Sequence, residues 1–104
     1  RSAGAWAQGH AVGAVHVPYR DIAARAAEFD PAVPVVVYCW SPGCNAGAKG
    51  AVEFAKRGFS VREMIGGYEY WAREGLPVEG ENGPLPRVFD PLVMYVRPER
   101  CERG

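Results

Sequence analysis

Two cysteines, Cys39 and Cys44, bracket a short uncharged segment that could carry covalent chemistry. Cys39 follows the apolar run 35–38, and residues 46–56 have helical spacing. We therefore expect Cys39 at the tip of a strand that faces the amino end of a helix. Unpaired backbone N–H groups and the helix dipole stabilise an anion at such a place and lower the pKa of a thiol. The pattern predicts a nucleophilic thiolate at Cys39, with an inert buried cysteine as the alternative.

Cys44 allows two interpretations. It is either a resolving thiol, which attacks a persulfide or sulfenate on Cys39, or a small apolar residue that starts the helix. We favour the second interpretation. The turn formed by residues 40–43 is expected to point the Cys44 side chain toward the core, while Cys39 faces a cleft.

The number of cysteines bears on compartment and on metal binding. Three cysteines in 104 residues are too few for a disulfide scaffold and indicate a reducing compartment, which predicts a cytoplasmic location. Cys101 lies in a charged tail and is expected to be a bystander thiol. A zinc site is disfavoured, since the chain offers only His10 and His16 as further ligands and neither lies in a paired Cys/His motif. We expect no metal and no cofactor, and neither histidine is assigned to catalysis.

The candidate substrate-binding residues form the loop after the nucleophile: Trp40, Ser41, Pro42, Gly43, Cys44 and Asn45. Trp40 is expected at the mouth of the site, Gly43 to let backbone N–H groups point inward, and Asn45 to cap the following helix. No residue of this loop is charged. An anionic substrate would therefore be held by backbone N–H groups directed at the Cys39 sulfur, or by groups elsewhere in the chain.

The predicted secondary structure alternates between strands and helices. Strands are predicted at residues 14–17, 35–38 and 60–65, and helices at residues 19–29, 46–56 and 68–74. The unbroken apolar character of residues 35–38 fits a central parallel strand that is covered on both faces. The alternation predicts an α/β fold with a mainly parallel central sheet flanked by helices.

The helix at residues 46–56 positions the loop, so its buried face matters. Its apolar spacing predicts that Ala48, Val52 and Ala55 lie on the core side. Gly58 is expected to end the helix, because glycine adopts the left-handed conformation that terminates helices.

Size and charge limit the classes of function. The chain has 104 residues, 48% of them hydrophobic, which predicts one domain with a core. Twelve basic and twelve acidic residues give a net charge of zero, so no patch for nucleic acid or anionic lipid is expected. No apolar stretch approaches the roughly 20 residues of a membrane span. We expect the domain over residues 1–78. A linker and carboxyl-terminal extension would follow over residues 79–104, with the apolar segment 88–96 packed on or beside the domain.

Short motifs occur in a fixed order over nearly all of residues 1–78: Gly9-His10, Gly13-Ala14 before Val17-Pro18, Tyr38-Cys39, and Gly66-Gly67 followed by Trp71, Gly75 and Pro77. In these motifs the chain resembles the rhodanese family of sulfurtransferases. The resemblance implies a three-layer α/β fold. Arg1 matches the arginine that closes the family's Asp-Val-Arg strand, so the resemblance also implies that the amino-terminal strand is missing from this chain.

The resemblance implies a sulfurtransferase mechanism. Cys39 would take a sulfane sulfur from thiosulfate or a persulfide, become a persulfide, and pass the sulfur to a thiol or to cyanide. Neither a metal nor an organic cofactor is needed. The implied partners are a small sulfur-containing donor and a thiol acceptor, which could be a protein. The sequence does not indicate which donor is used or the oligomeric state.

Two other classes compete with this interpretation. The uncharged loop favours a non-catalytic rhodanese-like binding or regulatory module, because family loops often carry a cation after the cysteine. The segment from Cys39 to the turn at residues 57–59 is also longer than the common family pattern, which predicts an enlarged loop. A cysteine phosphatase or arsenate reductase is disfavoured, because those enzymes need a loop arginine to hold an oxyanion.

Overall fold

Two separate small sheets carry the strands of this computed structural model, which describes residues 1–88 and 90–92. The strands are β1 (His10–Ala11), β2 (Val35–Val37), β3 (Val61–Glu63), β4 (Val78–Gly80) and β5 (Gly83–Pro84). β2 and β3 run parallel, with Val35 opposite Val61 and Val37 opposite Glu63. β4 pairs antiparallel with β1 on one side and with β5 on the other.

The predicted mainly parallel central sheet is therefore not confirmed, although the mixture of helices and strands is that of an α/β protein. Within the described residues, β2 pairs with β3 alone. It is not covered on both faces, because Val36 is 61% exposed. A cavity of about 620 Å³ lies beside β2, with residues 33–38 in its wall. The apolar run correctly indicated a strand, but its composition could not show how many partners the strand has.

The predicted strand at residues 14–17 is wrong. The chain forms β1 at His10–Ala11 instead and then turns, with Gly13 at a φ of 82° and the Ala14 N–H donating to the Ala11 carbonyl at 3.0 Å. Such a φ is a left-handed conformation that glycine adopts readily, so Gly13 allows the chain to leave the sheet there.

The helices are α1 (Ala3–Gln8), α2 (Ile22–Arg25), α3 (Ala46–Ala55) and α4 (Gly67–Arg73). α3 and α4 agree with the predicted helices to within a residue at each end. The single helix predicted at residues 19–29 is instead a short α2 with a 3₁₀ turn on each side, Tyr19–Asp21 and Ala26–Glu28. The segment ends at Phe29, whose backbone is extended.

The buried face of α3 differs from the predicted one. Its buried residues are Gly47, Gly50 and Phe54, whereas the predicted face consisted of Ala48, Val52 and Ala55. Val52 is 52% exposed. A Cβ on Gly50 would lie 3.4 Å from Ile22, so the glycines let the helix approach its neighbours closely. Hydrophobic spacing did not reveal this face because glycine contributes little to that signal.

The hydrophobic core lies between α3 and the parallel strands. Ile22, Phe54 and Phe59 form its centre. The Phe54 and Phe59 rings meet edge to face, with centroids 5.1 Å apart. Gly58 follows α3 with a φ of 85°, as predicted for a residue that ends a helix.

Beyond residue 78 the chain continues into the antiparallel sheet. Residues 79–84, predicted to start a linker, contribute to a hairpin of β4 and β5. Of the apolar segment predicted at residues 88–96, only Val88 and residues 90–92 are described, and Cys101 lies outside the described residues. No helix in the described part of the chain is both long enough and apolar enough to cross a membrane.

Candidate functional site

Cys39 lies just beyond the carboxyl end of β2, as the sequence predicted, and is only 6% exposed. α3 begins at Ala46, so residues 38–45 form the loop between strand and helix. A Cβ on Gly47 would lie 3.4 Å from the backbone nitrogen of Cys39, so the first turn of α3 packs directly on the strand end. The missing side chain of Gly47 thereby brings the amino end of α3 close to Cys39.

The loop after Cys39 is fastened to the amino end of α4. The Tyr68 N–H donates to the Cys39 carbonyl at 2.9 Å, and the Glu69 N–H donates to the Trp40 carbonyl at 2.8 Å. These bonds satisfy two of the N–H groups that a helix leaves unpaired in its first turn. Gly67, at a φ of 66°, packs against the same loop, and a Cβ there would lie 2.8 Å from the Cys39 carbonyl oxygen.

Cys44 is disulfide-bonded to Cys39, and their Cα atoms are 6.2 Å apart. The prediction that Cys44 points into the core, away from Cys39, is therefore wrong. The physical reason is the turn between them, in which the Cys44 N–H donates to the Ser41 carbonyl at 3.0 Å. This turn bends the loop back on itself and returns Cys44 to the strand end.

A cavity of about 450 Å³ opens beside the disulfide. Its wall contains both cysteines and eight further residues: Arg1, Ser2, Ala5, Pro18, Tyr19, Arg20, Trp40 and Ala46. Trp40, predicted at the mouth of the site, is part of this wall and 43% exposed.

The other predicted loop residues do not line this cavity. Ser41 is half-buried, and Pro42, Gly43 and Asn45 are exposed. Asn45 occupies the N-cap position of α3, but its side chain makes no capping hydrogen bond, which corrects the prediction that it caps the helix. Its backbone carbonyl instead accepts the Lys49 N–H at 3.1 Å. In this disulfide form, no described backbone N–H donates to the Cys39 sulfur. Stabilisation of a Cys39 thiolate by backbone N–H groups therefore stays a prediction for the reduced protein.

Arg1 is the site residue that the sequence argument overlooked. Its guanidinium carbon lies 5.0 Å from the ring centre of Trp40 and 4.8 Å from that of Tyr68, within the range of cation–π attraction. Nη2 donates to the Ala5 carbonyl at 2.8 Å. Nε and Nη1 are buried and have no hydrogen-bond partner among the described residues. The resemblance matched Arg1 to the arginine that closes the family's Asp-Val-Arg strand. This match did not indicate that Arg1 lies in the site.

Arg20 is a second cationic group in the wall of the cavity. Arg20 Nε donates to the Tyr19 hydroxyl oxygen at 3.3 Å, and this hydrogen bond lowers the pKa of Tyr19 below its usual value. The charges of Arg20 and Lys49 act in the same direction, and Lys49 Nζ lies 5.3 Å from the Tyr19 ring centre. The cavity thus has positive charge on its walls although the loop has none.

The family of the chain follows from comparison with known proteins. A family model described as "Rhodanese-like domain" matches residues 1–74. The chain belongs to the rhodanese-like domain family. This rhodanese-like domain is also 31% identical over 87 residues to "Thiosulfate sulfurtransferase 16, chloroplastic" of Arabidopsis thaliana, with 71% of each chain covered.

Solved structures agree with this assignment. The BH2092 protein of Bacillus halodurans superposes with a TM-score of 0.71 at 36% identity, over 80% of this chain and 61% of that one. A protein from Lactobacillus plantarum superposes with a TM-score of 0.70 at 32% identity, over 75% of this chain and 66% of that one. The rhodanese-like domain therefore spans less than two thirds of the length of these solved chains.

The two histidines of this rhodanese-like domain contact backbone and carboxylate groups. His10 is buried, stacks on Trp6 at a centroid distance of 3.7 Å, and has Nδ1 2.8 Å from the Trp6 carbonyl oxygen. Its Nε2 lies 3.2 Å from Glu79, which ties β1 to β4. His16 Nε2 lies 2.7 Å from the Arg1 carbonyl oxygen and so holds the backbone of the overlooked arginine. No group of three or more potential metal ligands occurs within residues 1–88 and 90–92.

Proposed function

We propose that this rhodanese-like domain is a sulfurtransferase that moves a sulfane sulfur through a persulfide on Cys39. The donor would be thiosulfate or a persulfide, and the acceptor would be cyanide or a thiol, free or on a protein. Family membership and the name of the Arabidopsis relative support the proposal. The observation that carries it is the position of Cys39, at a strand end and in the wall of a cavity that also contains two arginines.

The reaction divides into two nucleophilic displacements. In the reduced protein, the Cys39 thiolate attacks the outer sulfur of thiosulfate, the sulfur–sulfur bond of the donor breaks, and sulfite leaves with the bonding electron pair. The acceptor then attacks the outer sulfur of the Cys39 persulfide, and Cys39 leaves as a thiolate. Thiosulfate and cyanide would give sulfite and thiocyanate, with no metal or organic cofactor.

Charge on the cavity wall supports an anionic donor. The loop after Cys39 has no cation, but Arg1 and Arg20 line the same cavity. An oxyanion of the donor bound in this cavity would form charge-assisted hydrogen bonds with a guanidinium of its wall.

The test compares three proteins after full reduction: the unchanged chain, Cys39→Ser, and Cys101→Ser as a matched cysteine control. We expect sulfite release from thiosulfate, with thiocyanate wherever cyanide takes the sulfur, in the first and third proteins and neither product in Cys39→Ser. Thiocyanate formation by Cys39→Ser would refute the assignment of Cys39. No sulfite release and no thiocyanate in any of the three would instead favour the non-catalytic binding or regulatory module.

A further inference from the structure

We propose that Cys44 is a second catalytic cysteine, which attacks the Cys39 persulfide and releases its outer sulfur as hydrosulfide. The inference rests on the proposed function and names a product and a co-reactant for the same site. It assigns the Cys39–Cys44 disulfide as an intermediate of the reaction cycle. A dithiol reductant would return both cysteines to the reduced state.

The loop geometry holds Cys44 beside the reacting atom. The two Cα atoms are 6.2 Å apart, within the usual range of a disulfide. Hydrogen bonds that do not involve the sulfurs maintain this approach: Cys44 N–H to Ser41 carbonyl at 3.0 Å, and Tyr68 N–H to Cys39 carbonyl at 2.9 Å. Because the backbone itself brings the residues together, Cys44 stays near Cys39 when the disulfide is reduced.

The product depends on which of the two persulfide sulfurs is attacked. A persulfide has an inner sulfur, the Cys39 Sγ, and an outer sulfur delivered by the donor. An external acceptor that takes the sulfur must attack the outer atom. Cys44 can bond to the inner atom, as the disulfide shows, and attack there expels the outer sulfur.

The step balances as a thiol–disulfide exchange. The Cys44 sulfur forms a bond to the Cys39 Sγ, the bond from that Sγ to the outer sulfur breaks, and the outer sulfur leaves with the electron pair. It takes the proton of the Cys44 thiol and departs as hydrosulfide. The two cysteines are oxidised to the disulfide and the sulfane sulfur is reduced to sulfide. With a dithiol, the cycle converts thiosulfate to sulfite and hydrosulfide and converts the dithiol to its disulfide.

Attack on the Cys39 persulfide by Cys44 should be faster than attack by an external thiol. Cys39 is buried, so an external thiol must enter the cavity to reach the persulfide, whereas Cys44 already lies in its wall. A group held in reacting position acts at effective concentrations that reach on the order of 10⁵ M or more. Hydrosulfide release is therefore expected to outrun transfer to a dilute monothiol.

A single-turnover experiment in the Cys101→Ser protein, which has only the two loop cysteines, tests the step. The protein is reduced, freed of reductant without oxygen, and mixed with thiosulfate. We expect about one equivalent each of sulfite and hydrosulfide, loss of both thiols, and an intact mass about 2 Da lower. With Cys44→Ala added, we expect one equivalent of sulfite, no hydrosulfide, and a mass about 32 Da higher from the retained sulfur.

The possible outcomes separate the inference from the proposed function. If both proteins gain about 32 Da and neither releases hydrosulfide, Cys44 is not catalytic while the sulfurtransferase proposal stands. Equal hydrosulfide release by both proteins also contradicts the role of Cys44. If neither protein releases sulfite, the proposed function itself fails. A sample without thiosulfate, carried through in parallel, must keep both thiols.

Discussion

Replacing Gly67 by alanine should displace the loop that carries Cys39. Gly67 has a φ of 66°, and an added Cβ would lie 2.8 Å from the Cys39 carbonyl oxygen, 2.8 Å from the Ser41 nitrogen and 2.9 Å from the Trp40 carbonyl carbon. All three are backbone atoms, so no side chain can rotate away to make room. Either α4 or the loop must move.

Three contributions determine the size of the effect. Alanine in a left-handed conformation costs about 1–2 kcal/mol. About 0.4–1 kcal/mol of that is offset because alanine restricts the unfolded chain. Overpacking against the loop backbone adds about 1–3 kcal/mol. The free energy of unfolding should therefore fall by roughly 2–4 kcal/mol, which lowers the Tm of a domain of this size by roughly 10–25 °C.

Gly58→Ala provides the matched control for Gly67→Ala. Gly58 also has a positive φ, 85°, but no atom lies within 4 Å of its added Cβ. Only the conformational contribution applies, so its loss should be about 1 kcal/mol. Thermal and urea unfolding of both variants measures the difference, and alkylation of Cys39 in the reduced proteins reports on the loop. Equal losses in the two variants would show that Gly67 does not press on the loop, and the described packing would be wrong.

Variants at two further positions test charged groups, one in the wall of the cavity and one between β1 and β4. Arg1→Ala should raise the KM for thiosulfate roughly 10- to 100-fold, because it removes a charge-assisted hydrogen bond worth about 1.5–3 kcal/mol. Arg1→Lys should have an intermediate KM. An unchanged KM in steady-state assays would exclude Arg1 as the anion-binding group. Glu79→Ala removes the acceptor that lies 3.2 Å from His10 Nε2 and 3.1 Å from the Gly13 nitrogen, so urea unfolding should show a loss of roughly 1–2 kcal/mol. Glu79→Gln keeps an oxygen there and should lose less, whereas an unchanged stability of Glu79→Ala would show that neither contact stabilises the fold.

The sequence predicted the features that depend on local patterns. The apolar run before Cys39 is followed by a loop and a helical segment, and that order alone places a cysteine at a strand end beside a helix. The helices at α3 and α4 were predicted for the same reason, since periodicity and glycine boundaries are local signals. The family motifs, spread over most of residues 1–78, then predicted the fold family that the comparisons show.

Features that depend on close approach were not predictable in this way. The core side of α3 is set by Gly47 and Gly50, which carry no hydrophobic signal yet allow the helix to touch its neighbours. The position of Cys44 depends on one hydrogen bond within a turn, and a turn can direct the next side chain either way. Arg1 reaches the cavity through contacts between distant parts of the chain, so no local spacing points to it.

The disulfide has a consequence for activity under the proposed mechanism. While Cys39 is bonded to Cys44 it has no thiolate, so the oxidised form described here cannot take sulfur from a donor. A persulfide on Cys39 and the disulfide are at the same oxidation level, and they differ only in which sulfur is attached to Cys39. The reductant therefore controls whether Cys39 is free to accept sulfur. The competition between Cys44 and an external acceptor for the persulfide then determines whether the sulfur leaves as hydrosulfide or is transferred.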